Sequence, residues 1–467
     1  MSGARFFLLL AFAVCLVAAG PAGAAVLKVT TTDDGIDANL GDSACVTAAG
    51  ACSLRAAVQT ANALAGADQI ILPAGIYALT LATFQEDAAS SGDLDVAPGE
   101  LVVTGAGAAT TIVDGKLFDR VFDVLPGASL NASGLTIRNG RAGDGFGGGG
   151  VLNRGSLALT YVAVTGSRSS TGGGGIFNNA ASATLANVTL SGNSAISHGG
   201  AIWNFGGQAS LTNVTISGNI AGSTAGAVRN DGTSGAVSLT NVTVAGNSSN
   251  TINAALVNNG GAGGITVRSS ILSGAPGESC FGPIASAGFN IDNGGSCKLG
   301  GPGDKPGTDP LLAPLAENGG PVPTQALLQG SPAIDAGDPG GCPGSDARNV
   351  PRPQGAGCDV GAFEYTPPRS FKRAVTFKLF EHLVASGKVS IAAGGPASCL
   401  AVRVTIQRKA GGGWRNAGTA TASPTGAYEV KLQDRPGQYR AVVAQAPAGQ
   451  DTCLAATSRT RKHGHKK

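Results

Sequence analysis

Alternating apolar and polar residues recur in short segments through the middle of the chain. The segments NVTLSGN, NVTISGN and NVTVAGN begin at Asn187, Asn213 and Asn241, at steps of 26 and 28 residues. In each segment the valine and the second residue after it share one face, and the threonine between them takes the other face. The alternation predicts short β-strands that are separated by turns.

A second motif lies between these strands and repeats with the same period. It is a glycine-rich or alanine-rich run that ends in asparagine, at Asn153, Asn178, Asn204, Asn230 and Asn258. Two motifs that share one period of about 26 residues are typical of a solenoid, in which stacked coils bury a continuous core. We therefore expect an all-β fold, a right-handed parallel β-helix with three strands in each coil.

The period also predicts which residues lie above one another in successive coils. The expected buried columns are Val162, Val188, Val214 and Val242, and Val164, Leu190, Ile216, Val244 and Ile271. The expected outer, exposed column is Thr136, Thr189, Thr215, Thr243 and Ser270. The asparagine that begins each segment is expected to form a corner, because Asn tolerates the left-handed backbone conformation.

Composition excludes several other classes of protein. The 467 residues include 74 Gly and 23 Pro, but no strict G-X-Y period, which excludes collagen. Hydrophobic residues make up 42% of the chain and charged residues 13%, whereas disordered chains are more charged and less apolar. Aromatic residues make up only 5%, so small aliphatic side chains must form the core.

The ends of the chain differ in composition from the repeat. Arg5 precedes a run of about 14 apolar residues, and small residues follow, which predicts a cleaved secretory signal peptide. No other segment is long enough to span a membrane. The expected regions are a signal peptide 1–24, an N-terminal cap 25–67, a β-helix 68–300, its C-terminal cap region 301–365, a linker 366–369, a β-sandwich 370–457 and a basic tail 458–467.

Both caps are expected to protect the open ends of the solenoid. Five apolar residues recur at helical spacing in the N-terminal cap and predict a short helix over the first coil: Leu54, Ala57, Val58, Ala61 and Leu64.

The cysteines indicate disulfides in an exported protein. The signal peptide removes Cys15 and leaves eight cysteines, an even number. No CxxC pair or Cys/His cluster is present, which argues against zinc. Their positions suggest four disulfides, each of which closes one segment without crossing another. The predicted pairs are Cys45 with Cys52, Cys280 with Cys297, Cys342 with Cys358, and Cys399 with Cys453.

The last hundred residues form a module of a different kind. Alternating segments with turns every 8–12 residues predict an immunoglobulin-like β-sandwich. Residues 370–467 carry 16 Lys/Arg against 4 Asp/Glu, a net charge of +12, whereas residues 25–369 carry 15 against 25, a net charge of −10. The expected partners of the basic module are anionic polymers of a bacterial envelope, and export makes nucleic acid an unexpected partner.

Candidate catalytic residues are few. Asp231 is the only acid between Phe146 and Gly277, so the central coils cannot supply a carboxylate pair for glycosidic-bond chemistry from their own strands. The best remaining acidic group is Asp114, Asp119 and Asp123, with Arg120 beside it. Calcium is the candidate cofactor, and its candidate ligands are Asp33, Asp34, Asp37 and Asp42. The spacing of these aspartates differs from that of an EF-hand.

Two aromatic residues precede the turn asparagines of neighbouring coils. Phe177 and Trp203 are expected to lie one coil apart and partly exposed. Aromatic rings on an exposed face can hold a sugar ring, and the alternative is that they fold against a loop.

The chain resembles bacterial surface proteins in three places. GGAI and NVTISGN are similar to the repeat of polymorphic outer-membrane proteins, although the phenylalanine of that repeat is missing. CSLRAA from Cys52, with Ala61-Asn62 and ILPAGIYAL, looks like a CSLREA domain in which Ala56 replaces the glutamate. LLQGSPAIDAGD at 327–338 and CDVGAFEY at 358–365 resemble the end region of choice-of-anchor β-helix proteins.

This resemblance implies a location more than a chemistry. We expect a secreted or cell-surface-associated monomer that binds envelope polymers or polysaccharide and is involved in adhesion. The alternative is a polysaccharide lyase or glycoside hydrolase of the pectin-lyase-like class. A third hypothesis is an ice-binding face on the threonine column.

Overall fold

The computed structural model describes residues 23–82, 86–143, 145–252, 255–260, 263–274, 279–391, 395–448 and 451–464. The chain divides into two compact units, Met1–Tyr365 and Thr366–Lys467. Each unit has its own hydrophobic core. The predicted signal peptide falls on residues 1–24, of which 1–22 lie outside the described residues.

The first unit is a parallel β-solenoid with three long sheets, as the repeat predicts. Sheet 1 contains Val26–Lys28, Ala67–Leu72, Gly99–Gly105, Ala128–Ser133, Ser156–Thr160, Ser182–Ala186, Gln208–Thr212, Ala236–Thr240, Gly264–Arg268 and Ile284–Ser286. Sheet 2 contains Gly75–Ala78, Thr111–Asp114, Thr136–Arg138, Ala163–Thr165, Thr189–Ser191, Thr215–Ser217, Thr243–Ala245, Ile271–Ser273, Ile291–Asp292 and Lys305–Pro306. Sheet 3 contains Leu94–Val96, Phe122–Val124, Val151–Asn153, Ile176–Asn179, Ile202–Phe205, Val228–Asp231, Leu256–Asn258 and Cys280–Phe281.

Five coils carry a fourth strand that the sequence pattern did not predict. Sheet 4 contains Arg141–Ala142, Arg168–Ser169, Ser194–Ala195, Ile220–Ala221 and Ser248–Ser249. Its last two strands follow turn glycines that lie between sheets 2 and 3. Gly218, with φ of 67°, precedes Ile220–Ala221, and Gly246, with φ of 69°, precedes Ser248–Ser249. Extended residues after that turn pair with the equivalent residues of the next coil.

The central columns keep the predicted register. Leu190, Ile216 and Val244 pair in successive strands of sheet 2. The valine column beside them is fully buried; it consists of Val188, Val214 and Val242. The prediction of a stacked solenoid is therefore confirmed at the level of individual columns.

The predicted register is wrong by one residue in the last repeat. Thr243 pairs with Ile271 and Val244 pairs with Leu272, so Leu272 takes the core position that was assigned to Ile271. The corner before this strand is Ser269, with φ of 46°. The register of this repeat was predicted wrongly because no asparagine marks this corner in the sequence.

Asparagines hold the coils together at two kinds of position. The predicted corners Asn187, Asn213 and Asn241 have φ of 55°, 53° and 51°, which confirms the left-handed conformation. The turn asparagines form a buried ladder in which each side-chain amide donates to the next carbonyl, at 2.7 to 3.0 Å, through Asn153, Asn178, Asn204, Asn230 and Asn258. Such a ladder satisfies polar groups that would otherwise be unpaired in the interior.

The cap helix occupies Leu54–Ala63. The Ser53 hydroxyl accepts a hydrogen bond from the backbone N–H of Ala56 at 3.0 Å and caps the first turn. The predicted helix is therefore confirmed. All four predicted disulfides are also present, with Cα–Cα separations of 5.1, 4.8, 6.2 and 5.6 Å.

Residues 310–365, which we call the strap, lie along the outer face of sheet 2. The strap includes an antiparallel hairpin of Leu312–Ala316 and Thr324–Leu327. Its apolar side chains cover Ile271 and Ile291 of sheet 2 and form a small second core.

The strap overturns the prediction that the threonine column is exposed. Thr189, Thr215 and Thr243 point away from the solenoid core, yet each is at most 1% exposed. The Thr189 hydroxyl donates to the carbonyl of Pro323 at 2.5 Å, and the Thr243 hydroxyl accepts from the N–H of Ala362 at 3.0 Å. Ser270 is also buried, and it does not belong to this column, because Thr243 pairs with Ile271. A covered column cannot meet ice, so the ice-binding hypothesis is withdrawn.

The second unit consists of mostly antiparallel sheets that are consistent with the predicted β-sandwich. Its strands are Ser370–Phe371, Arg373–Val375, Lys378–Leu379, Val384–Ile391, Arg403–Ala410, Gly413–Thr421, Ala427–Lys431, Gly437–Val443, Ala446–Ala448, Asp451–Cys453, Ala456–Thr457 and Arg461–His463, with 3-10 turns at Glu381–Leu383 and Ala397–Cys399. Cys399 lies in the second of these 3-10 turns.

Candidate functional site

One outer column of sheet 3 combines acidic, aromatic and basic side chains. Ile176, Ile202 and Val228 alternate with this column and lie in the solenoid core. The column in successive coils is Asp95, Asp123, Leu152, Phe177, Trp203, Arg229, Val257 and Phe281.

The two predicted aromatic residues stack on each other. The ring centroids of Phe177 and Trp203 are 4.5 Å apart and the ring planes differ by 18°. Trp203 is partly buried, but Phe177 is only 5% exposed, contrary to the expectation. The loop at Gly147 covers Phe177, since a Cβ on this glycine would lie 3.0 Å from the ring.

Polar groups fix the edge of Trp203. Its Nε1 donates to Asp231 Oδ2 at 2.7 Å, and Arg229 donates to the same oxygen. The His198 ring lies 5.8 Å from Trp203, edge to face, and Phe205 lies 5.9 Å away. Burial and the positive charge of Arg229 lower the pKa of His198, so this ring stays neutral at physiological pH.

We call these five residues, His198, Trp203, Phe205, Arg229 and Asp231, the aromatic patch. Phe205 is its most accessible apolar group, with 45% of its surface exposed. The patch therefore offers one open ring beside an arginine and a carboxylate that are already oriented by each other. Of these residues, only Trp203 was named from the sequence as a candidate for carbohydrate binding.

Sheet 4 forms a groove of about 560 Å³ that the sequence analysis missed. Its walls include Arg141 and Arg168, which are exposed and paired directly opposite each other in neighbouring strands. Among the described residues, no carboxylate forms an ion pair with either guanidinium. Ser170 also lines the groove, and its hydroxyl is buried without a hydrogen-bond partner in the described part of the chain. We call this the arginine groove.

The arginine groove and the aromatic patch lie on successive stretches of the same coil. Ile196 lines the groove and is 69% exposed. His198 follows two residues later and contacts Trp203. The groove and the patch are therefore adjacent along the chain between Ile196 and His198.

The acidic residues form a separate cluster at the first coils. Asp95 and Asp123 pair directly in neighbouring strands of sheet 3. One carboxylate oxygen from each of Asp87, Asp95 and Asp123 lies within 4.8 Å of the other two. Asp95 and Asp123 are buried, whereas Asp87 is exposed.

Two arginines partly neutralise this acidic cluster. Arg120 Nη1 lies 3.0 Å from Asp93 Oδ2 and 3.6 Å from Asp123 Oδ2. Arg154 Nη2 lies 2.9 Å from Asp123 Oδ2 and 3.5 Å from Asp87 Oδ1.

Burial dominates the protonation of the cluster. It raises the pKa of Asp95 to about 8, although a hydrogen bond from Ala89 opposes the rise, and Asp123 raises it further. Burial likewise raises the pKa of Asp93 well above its usual range, against the attraction of Arg120. The pKa of Asp123 is raised for the same reason, with Arg120 and Arg154 opposing.

The structure joins only part of the predicted acidic group. Asp123 belongs to the cluster, and Asp119 is near enough to raise the pKa of Asp93. Asp114 is held elsewhere by Arg138 and Asn139, in sheet 2. Asp87, Asp93 and Asp95 were missed, because they lie in an early coil that lacks the recognisable repeat.

The predicted calcium ligands in the N-terminal cap are held by separate protein groups. Asp34 pairs with Arg55 at 2.6 Å, and Asp37 accepts from the hydroxyl of Thr60 at 2.5 Å. Asp33 accepts from Thr31, and Asp42 accepts from Asn39.

No protein-family profile, curated protein or solved structure matches the chain. Within the part of the chain that the structure describes, no helix is long and apolar enough to cross a membrane. The four disulfides fit an extracellular protein.

Proposed function

We propose that the β-solenoid binds an acidic polysaccharide outside the cell, with the sugar chain held in the arginine groove and against the aromatic patch. The observation that carries this proposal is the pair Arg141 and Arg168, directly opposite each other in the groove. Neighbouring strands lie about 4.8 Å apart. Like charges at this spacing destabilise a sheet unless an anion neutralises them.

The chemistry of the groove favours a carboxylated polymer. A guanidinium group binds a carboxylate through two parallel hydrogen bonds. A polymer with an acid group on each sugar presents carboxylates in a row, and two stacked arginines can meet two of them.

The aromatic patch supports the same class of ligand. Phe205 presents an exposed ring, and Trp203 packs edge to face against it. Sugar rings have apolar faces that pack on aromatic rings while their hydroxyls reach polar neighbours. Arg229 and Asp231 are such neighbours, already aligned by their own ion pair.

Location supports the proposal independently. The predicted signal peptide and the resemblance to CSLREA and choice-of-anchor proteins favour a bacterial cell-surface protein. The second unit, with its excess of positive charge, is proposed to retain the protein on anionic envelope polymers. Binding and adhesion are therefore the functions we favour.

The buried acidic cluster argues against the lyase or hydrolase alternative. Asp95 is 0% exposed and Asp123 is 2% exposed, so neither carboxylate can reach a glycosidic bond without rearrangement. A general acid or base must lie within hydrogen-bond reach of its substrate. Release of unsaturated or reducing-end products on incubation with pectin or alginate would contradict a pure binding function.

The main test is the affinity of the full-length protein for polygalacturonate and alginate, compared with a neutral glucan. The double variant Arg141→Gln/Arg168→Gln should weaken binding to both acidic polymers by at least about tenfold, as expected when two charge-assisted contacts are lost. Lys28→Gln/Lys298→Gln removes the same charge from exposed positions of the solenoid outside the groove and should leave groove affinity nearly unchanged. Equal losses in the two double variants would refute a specific groove.

A second test concerns the aromatic patch. Phe205→Ala should weaken binding of an oligosaccharide severalfold without changing the melting temperature, because the ring is exposed. Phe118→Ala is the matched control, since this ring is also 45% exposed and lies outside both the patch and the groove. If both variants bind like the wild type, the patch takes no part in recognition.

A further inference from the structure

The acidic cluster contains more carboxyl groups than arginines that pair with them in the described part of the chain. Five aspartates act on one another in this region, namely Asp87, Asp93, Asp95, Asp119 and Asp123. Two arginines, Arg120 and Arg154, form ion pairs with them. A buried carboxyl is costly to ionise without a counter-charge, so a bound cation would stabilise the ionised form of these groups.

One carboxylate oxygen in the cluster has no partner in the described part of the chain. Asp95 is fully buried, and its Oδ2 accepts from the N–H of Ala89 at 2.8 Å. Its Oδ1 is also buried and accepts no hydrogen bond there. A buried oxygen in this state normally has a ligand, because leaving it unpaired forfeits its hydration.

The spacing of the oxygens fits a large cation. Calcium binds oxygen at about 2.3–2.6 Å, so two ligands of one ion can be separated by up to about 5 Å. The three cluster oxygens lie within 4.8 Å of one another, which is inside the separation that one Ca²⁺ ion allows between two of its ligands.

We propose that Asp87, Asp95 and Asp123 form a site for a divalent cation of the size of Ca²⁺, at the first coils of the solenoid. Asp95 and Asp123 supply oxygens from neighbouring strands, and the exposed Asp87 closes the site toward solvent. Water completes the coordination shell on that side. This site is separate from the arginine groove and does not depend on the proposed binding function.

Arg154 is the side chain that a cation would displace in part. It is 29% exposed and lies farther from Asp87, at 3.5 Å, than from Asp123, at 2.9 Å. Binding of the ion therefore requires the guanidinium to release Asp87, while it can keep its contact with Asp123 through Nε at 3.2 Å.

The test is direct titration of the full-length protein with Ca²⁺ and with Mg²⁺ by calorimetry, and with Tb³⁺ by luminescence. We expect one Ca²⁺ site that binds at least tenfold more tightly than Mg²⁺. Asp95→Asn and Asp87→Asn should each weaken Ca²⁺ binding by at least tenfold. Asp114→Asn, an aspartate paired with Arg138 outside the cluster, should leave binding unchanged.

Asp87→Asn keeps the test decisive if Asp95→Asn fails to fold, because Asp87 is exposed and its loss leaves the core intact. Absence of Ca²⁺ binding at millimolar concentration would overturn the proposal. So would unchanged binding in Asp87→Asn, or an equal loss in Asp114→Asn.

Discussion

Single residues set the conformation at the corners and turns of this solenoid. Asparagine corners and cysteine pairs were predictable, because each rests on a local property: tolerance of positive φ in one case and short, uncrossed segments in the other. The cluster around Asp95 was not predictable, since its members come from separate turns whose register is invisible in the sequence. Burial then shifts their pKa values, and burial is a property of the assembled coils.

A buried aspartate in the strap makes stability depend on pH. Burial raises the pKa of Asp359 to about 7, and Glu364 raises it further, whereas hydrogen bonds from Tyr365 and Asp335 and the charge of Arg352 lower it. In the unfolded chain the pKa is about 3.9. The folded state therefore binds more protons between pH 4 and pH 7, and the free energy of unfolding should fall as pH rises through about this window.

Urea unfolding at a series of pH values checks this prediction. In Asp359→Asn the free energy of unfolding should fall less steeply with pH, by up to about 1.4 kcal/mol per pH unit. Other buried aspartates contribute the remainder, Asp95 among them. The exposed Asp309 provides the control, and Asp309→Asn should keep the wild-type slope. A slope that is identical in Asp359→Asn would contradict the assigned protonation.

At the scale of elements, periodicity predicted the strands but not what covers them. The direction of the threonine side chains was correct, because alternation along a strand fixes the face. The predicted exposure of these side chains was wrong, because the strap that covers them comes from residues more than a hundred positions later in the chain. The fourth sheet was also missed, since its two-residue strands are too short to show alternation.

Two threonines in one column should respond oppositely to the same substitution. In the described part of the chain the Thr215 hydroxyl is buried without a partner, so Thr215→Val removes an unsatisfied group and should be neutral or stabilise by up to about 1 kcal/mol. Thr243→Val leaves the buried N–H of Ala362 without its acceptor and should destabilise by about 1–3 kcal/mol.

Thermal and urea unfolding of both valine variants measure the difference. The two substitutions change volume equally, so the contrast isolates the hydrogen bond to the strap. Equal destabilisation in the two variants would show that the strap does not depend on this contact.

At the scale of the whole molecule, two units of opposite charge are joined in one chain. Net charges of −10 for residues 25–369 and +12 for residues 370–467 were evident from the sequence, as were the solenoid and the sandwich. The arginine groove was not evident from the sequence, because Arg141 and Arg168 become neighbours only through sheet 4. Composition thus gives the sign of the charge on each unit, whereas the folded coils determine which charged side chains lie side by side.

The charge of the second unit predicts salt-dependent retention on a bacterial envelope. Full-length protein should co-sediment with washed envelopes at low salt and be released between about 0.1 and 1 M salt, as screening shortens from about 10 to 3 Å. A chain limited to residues 25–369 should remain mostly in the supernatant. Retention of both chains to the same extent, or retention that ignores salt, would rule out an electrostatic anchor.

The most direct measurement of the central claim is a crystal structure of the full-length protein with a tetrasaccharide of galacturonic acid. We predict carboxylates of adjacent sugars within about 3 Å of the guanidinium groups of Arg141 and Arg168, as charge-assisted hydrogen bonds require. The sugar chain should continue past Ile196 toward Phe205. A tetrasaccharide bound only on the second unit, with the arginine groove empty, would contradict the account.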